Sequence, residues 1–102
     1  MISKNVQQMI PVIRQYLSDK PVERAYLFGS CSRGEETADS DIDLLVNYTD
    51  DSLSLFAISR LMVGLSKQLN RRVDLVEESG LRDFARPSAE KDKILIYERE
   101  PA

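Results

Sequence analysis

The stretch Gly29-Ser30-Cys31-Ser32-Arg33-Gly34, followed by Asp39-Ser40-Asp41-Ile42-Asp43-Leu44-Leu45-Val46, decides the fold. An apolar run, Ala25-Tyr26-Leu27-Phe28, leads directly into Gly29-Ser30. Ten residues separate Ser30 from Asp41, and a second apolar run opens at Asp43. The pattern reads as strand, tight turn, short helix, strand. Side chains two apart on a strand share a face, with Cα atoms ~6.6 Å apart at ~3.3 Å per residue. Asp41 and Asp43 are therefore expected to project together, with Ile42 turned into a core. Two adjacent carboxylates repel each other unless a proton or cation lies between them. A divalent metal resolves this, and carboxylate oxygens suit Mg²⁺, which is usually held by one or two carboxylates plus substrate phosphates. Gly29 allows close backbone approach. Ser30 and the amides that open the next helix offer donors to a phosphate. Together these parts point to a nucleoside triphosphate and a metal ion.

Gly29-Ser30, ten residues, then Asp41-Ile42-Asp43 resembles the signature of the DNA polymerase β-like nucleotidyltransferases. The text Gly29-Ser30-Cys31-Ser32-Arg33-Gly34 … Ser40-Asp41-Ile42-Asp43-Leu44 is most similar to the small stand-alone members, the minimal nucleotidyltransferases (MNT). The resemblance spans about the whole chain and implies one domain over residues 1–102. It implies an α+β fold with a small mixed β-sheet and helices packed on one side. It also implies a third carboxylate on the strand after the long helix. Asp74, between Val73 and Leu75, is the acidic residue inside that strand, although a carboxylate there could also simply face solvent. Glu77 and Glu78 read as surface charges. Members of the family carry Arg-Gly where this chain has Arg33-Gly34, which implies that Arg33 holds the triphosphate, with Gly29 and Ser30, by bidentate contacts.

The resemblance further implies the chemistry. AMP would pass from ATP to a hydroxyl with release of pyrophosphate. One Mg²⁺ on Asp41 and Asp43 would hold the triphosphate. A second, shared by Asp41, Asp43 and Asp74, would lower the pKa of the acceptor hydroxyl, as two-metal sites do. MNT antitoxins adenylylate a tyrosine of a HEPN-domain toxin, a ribonuclease. A HEPN partner, a hetero-oligomer and an antitoxin role are thus the implied setting.

The remainder of the chain is consistent with that size and class. With 102 residues it can bury a single core. A net charge of −3 argues weakly against unaided nucleic-acid binding, which needs a basic surface. One cysteine allows no internal disulfide and suits a reducing, cytoplasmic setting. Residues 1–17, broken by Lys4, Asn5, Gln7, Gln8, Pro11 and Arg14, do not read as a secretory leader, and no apolar run approaches the ~20 residues of a membrane span. Val6, Met9, Ile10, Ile13 and Leu17 predict a helix over 3–18, capped by Ser3 and kinked at Pro11. Val22–Phe28 and Asp41–Val46 form the expected antiparallel hairpin. A helix over 52–69, capped by Asp51 or Ser52, is expected to bury Leu55, Ile58, Leu61, Met62, Leu65 and Leu69. In it Gly64 is a soft spot. Val73–Val76 is the third strand. Helical pieces broken at Pro87 are expected over 80–93, and Ile94–Tyr97 is a last extended run.

Competing readings have their own signals. Cys31 has no histidine to serve as its base, because the chain contains none, so it reads as a small packing residue. The same absence excludes Ser-His-Asp chemistry and His-based zinc sites. Arg71-Arg72 reads as a helix end complementing the dipole, or as a contact to an acidic partner or nucleic acid. The chain could also be an antitoxin that neutralises its partner by contact alone. Or it could be a catalytic subunit that transfers a nucleotide to a small molecule.

Overall fold

A computed structural model describes residues 2–37, 39–50, 52–77 and 92–99. In chain order the elements are α1 (Lys4–Leu17), β1 (Val22–Leu27), α2 (Ser30–Arg33), β2 (Ile42–Tyr48), α3 (Leu55–Leu69), β3 (Val73–Glu77) and β4 (Ile94–Glu98). The strands form one four-stranded sheet in the order β3-β2-β1-β4. β1 is antiparallel to β2 and to β4, whereas β2 and β3 run parallel. A parallel pair needs a long crossover, and α3 supplies it. The sheet is therefore mixed, as the α+β reading requires.

The chain's own alternation sets the faces. Ile42, Leu44 and Val46 of β2 point into the core together with Ala25 and Leu27 of β1, Val73 of β3 and Ile96 of β4. Val6, Ile13 and Leu17 of α1 and Leu65 of α3 cover that face. Val22 and Ala25 both point inward although they are three apart, because the β1–β2 register slips between Val22 and Arg24. That extra residue explains why Glu23 and Arg24 break the apolar pattern without ending the strand. Arg14 of α1 donates its Nε to the Ile96 carbonyl at 2.6 Å, tying the helix to edge strand β4.

Several boundaries differ from expectation. Asp41 lies just before β2, not in it. α3 begins at Leu55, capped by Ser54, whose Oγ accepts the Ala57 amide at 3.1 Å. Asp50 Oδ1 accepts both the amide and the hydroxyl of Ser52, a local turn that competes with helix start there. Leu55 is consequently 83 % exposed, off the core stripe carried by Leu61 and Leu65. Pro11 does not interrupt α1, which runs continuously from Lys4 to Leu17. Pro11 is exposed, so its ring needs no room in the core. Gly64 is a contact residue: a Cβ there would overlap the Tyr16 hydroxyl, which donates to the Leu61 carbonyl at 3.1 Å. The helical pieces expected over 80–93 fall, up to residue 91, outside the described residues. No described helix is long and apolar enough to cross a membrane.

Candidate active site

The site is built at the ends of β1, β2 and β3 nearest α2. Asp43 of β2 and Asp74 of β3 are register partners across the parallel ladder, so their side chains leave the same face of the sheet side by side. That face is the one opposite the helical core, because Ile42 and Leu44 on either side of Asp43 point into the core. Asp41, two residues before Asp43, is close enough to raise its pKa. The carboxyl of Asp43 is pushed above the usual carboxylate range, first by burial, then by the charges of Asp74 and Asp41. Asp43 thus lies near both of the other carboxylates named from the sequence, Asp74 and Asp41.

Gly29 explains how the turn approaches them. Its φ of 72° and ψ of −149° are open to glycine and strained for other residues. A Cβ at this position would lie 3.2 Å from Asp43 Oδ2, so the missing side chain leaves the carboxylate clear. The turn is held from within. Ser32 donates its Oγ to the Gly29 carbonyl at 2.8 Å, and Gly34, in the left-handed region, closes α2 by donating to the Ser30 carbonyl. Phe28 donates its amide to the Asp43 carbonyl at 3.3 Å, which fixes Gly29 against β2. Ser30 is the first residue of α2 and is half-buried.

Cys31 is a packing residue, as read from sequence. It is fully buried in the main core, and burial pushes its thiol up. Its Sγ donates to the Asp41 carbonyl at 3.6 Å. Arg33 is engaged by its own chain: Nε meets Glu35 Oε1 at 2.6 Å and Nη1 meets Asp92 Oδ2 at 2.8 Å. Arg71, read from sequence as a helix-end charge, turns back to the loop before Asp41 and donates Nη2 to the carbonyls of Thr37 at 2.9 Å and Ser40 at 2.5 Å. No periodicity distinguishes it from exposed Arg72, so nothing in the pattern singles it out.

The donor set suits a hard divalent cation: three carboxylates, no thiolate and no imidazole. Burial and mutual repulsion at Asp43 are what a bound cation would offset. Among the described residues no three such side chains are already gathered around one point as a finished cage. Mg²⁺ does not require one, since it keeps waters and takes oxygens from substrate phosphates.

Comparison with known proteins places the fold in a family. Residues 12–102 match the family model for polymerase beta, nucleotidyltransferase. A Methanocaldococcus jannaschii protein named as a protein adenylyltransferase is 31 % identical over 99 residues, covering 91 % of this chain and 99 % of the relative. The solved structure of a minimal nucleotidyltransferase superposes with a TM-score of 0.75 at 31 % identity, over 92 % of this chain and 95 % of that one. A crystal structure of a toxin–antitoxin complex with AMP-PNP also gives 0.75, at 26 % identity, over 89 % of this chain and 74 % of that one. With a family model matching nearly all of it and full-length relatives at this identity, the chain belongs to the polymerase beta nucleotidyltransferase family.

Proposed function

We propose that this protein transfers AMP from ATP to a tyrosine hydroxyl of a HEPN-type toxin partner and thereby acts as its antitoxin. The observation that carries the reading is the register pairing of Asp43 with Asp74, with Asp41 beside them and the bare Cα of Gly29 facing Asp43. The names of the relatives and the nucleotide analogue in the toxin–antitoxin neighbour support it.

In this reaction the acceptor oxygen attacks the α-phosphorus of ATP. A new P–O bond forms, the α–β bridging P–O bond breaks, and pyrophosphate leaves with the electron pair. The acceptor's proton passes to solvent. Asp41, Asp43 and Asp74 would hold Mg²⁺, which when bound offsets charge on the triphosphate and favours the ionised acceptor. Ser30 and the amides at the start of α2 orient the phosphates, and such positioning supplies much of the acceleration. Glu35 and Asp92 occupy Nε and Nη1 of Arg33, which leaves Nη2 for a phosphate. Its pair with Glu35 is solvent-exposed and exchanges at little cost.

The test combines the protein, its co-encoded partner, Mg²⁺ and α-labelled ATP. A mass gain of AMP on the partner is expected, abolished by Asp41→Asn with Asp43→Asn. If the double variant neutralises a toxic partner as well as the wild type does, contact and not chemistry is the mechanism. Label on a small molecule and none on protein would point to a different acceptor.

A further inference from the structure

We infer that Arg71 is a positioning residue that sets where the Asp41 carboxylate stands relative to Asp74. The inference rests on the reading of Asp41, Asp43 and Asp74 as the cation-binding group.

Asp41 precedes the first residue of β2, so the β1–β2 ladder does not hold it. Other contacts fix the peptide groups on either side. Arg71 Nη2 bonds the Ser40 carbonyl, which belongs to the peptide joining residues 40 and 41, and also the Thr37 carbonyl. On the other side, the Ile42 amide donates to the Arg72 carbonyl at 2.9 Å. Asp41 is thus bracketed by two consecutive residues of one corner. Within the loop, the Thr37 amide donates to Ser40 Oγ at 2.8 Å, so the two carbonyls that Arg71 grips move as one unit.

That corner is itself rigid and leads directly into Asp74. α3 ends at Asn70, in the left-handed region at φ 53° and ψ 39°. The Asn70 amide donates to the Lys67 carbonyl and the Arg71 amide to the Ser66 carbonyl at 3.1 Å. Ser66 Oγ then accepts the Val73 amide at 3.1 Å, one residue before Asp74. One end of one helix therefore places both Asp74, through the chain, and Asp41, through the Arg71 side chain.

A purely electrostatic role predicts the opposite outcome to a positioning role. Among the described residues the hydrogen-bond partners of Arg71 are neutral carbonyls, and no carboxylate forms an ion pair with it. Removing it would strengthen cation binding if charge alone mattered. If Arg71 positions Asp41, removing it weakens binding, and outer-shell partners of metal ligands typically contribute 10–100-fold.

The experiment is Mn²⁺ titration of the intact free protein by calorimetry, comparing wild type with Arg71→Ala, Arg71→Lys and Arg72→Ala, and with Asp41→Asn as reference. Arg71→Ala is expected to bind about 10-fold or more weakly. Arg71→Lys should recover most of the loss, because an ammonium group can donate to both carbonyls. Arg72→Ala, which removes an exposed charge at the same corner, should not weaken binding. Wild-type or tighter binding by Arg71→Ala overturns the inference, as does failure of Arg71→Lys to recover. If thermal melts show Arg71→Ala unfolded, Arg71→Gln replaces it in the same comparison. If Asp41→Asn binds Mn²⁺ as well as wild type, the cation reading itself has failed. Amide exchange at Ile42 then decides the role of Arg71: exchange at least several-fold faster in the variant supports it, and unchanged exchange overturns it.

Discussion

At Gly29 a single missing side chain serves both the backbone turn and the space beside Asp43. The positive φ is strained for other residues, and a Cβ would in addition press on Asp43 Oδ2 at 3.2 Å, so that the carboxylate would have to shift. Gly29→Ala should therefore cost on the order of 1–3 kcal/mol of stability and remove nucleotide transfer, read by urea denaturation and by labelling of the partner. Loss of stability with full activity would mean that Asp43 can yield without consequence. The nearness of Gly29 and Asp41 to Asp43 was legible because residue type, spacing and the apolar runs beside them agree. Arg33 and Arg71 were not separable in that way. A guanidinium's partner is set by which loop folds back within reach, and both arginines lie at or just past a helix end. Arg33 meets two carboxylates and Arg71 two backbone carbonyls, a difference of tertiary origin.

Among the elements, strands were easier to place than helix ends. Alternation around Ile42, Leu44 and Val46 identifies β2, and the slip against β2 between Val22 and Arg24 accounts for the polar start of β1. The start of α3 was misplaced because Asp51, Ser52 and Ser54 are all good capping residues, and only the Asp50–Ser52 turn selects Ser54. α1 poses the opposite question, since it contains a proline and continues through it. Pro11 has no amide to give the Gln7 carbonyl, and a proline inside a helix costs about 3 kcal/mol relative to alanine. Part of that is returned by the stiffness proline lends the unfolded chain. Pro11 is exposed, so Pro11→Ala leaves no cavity. It should raise stability by about 1–3 kcal/mol, seen as a higher urea midpoint at unchanged slope. An unchanged midpoint would show that the turn at Pro11 has already adapted its local geometry at no net cost.

For the molecule as a whole, the mixed sheet has one apolar face under two helices and one face that gathers like charges. Folding brings Asp43 next to Asp74 and near Asp41, and partly buries it. A carboxyl whose proton affinity rises on folding is one whose ionised form opposes folding at neutral pH. The free protein therefore carries a built-in cost at its site, the usual trade between stability and function. Two consequences follow that oppose each other in sign. In EDTA, Asp43→Asn removes one of the repelling charges and should melt at a higher temperature than wild type. With Mg²⁺ and ATP added, wild type should gain stability by mass action, about 2.7 kcal/mol at a ligand concentration 100 times Kd. The variant, lacking a ligand to the cation, should gain little. The order of the two melting temperatures is thus expected to narrow or reverse on adding the nucleotide and metal. If Asp43→Asn is instead less stable in EDTA, the carboxylate is a structural anchor. If both proteins gain equally, the cation is held elsewhere. Either result would remove the physical reason for placing three acids at the ends of two adjacent strands.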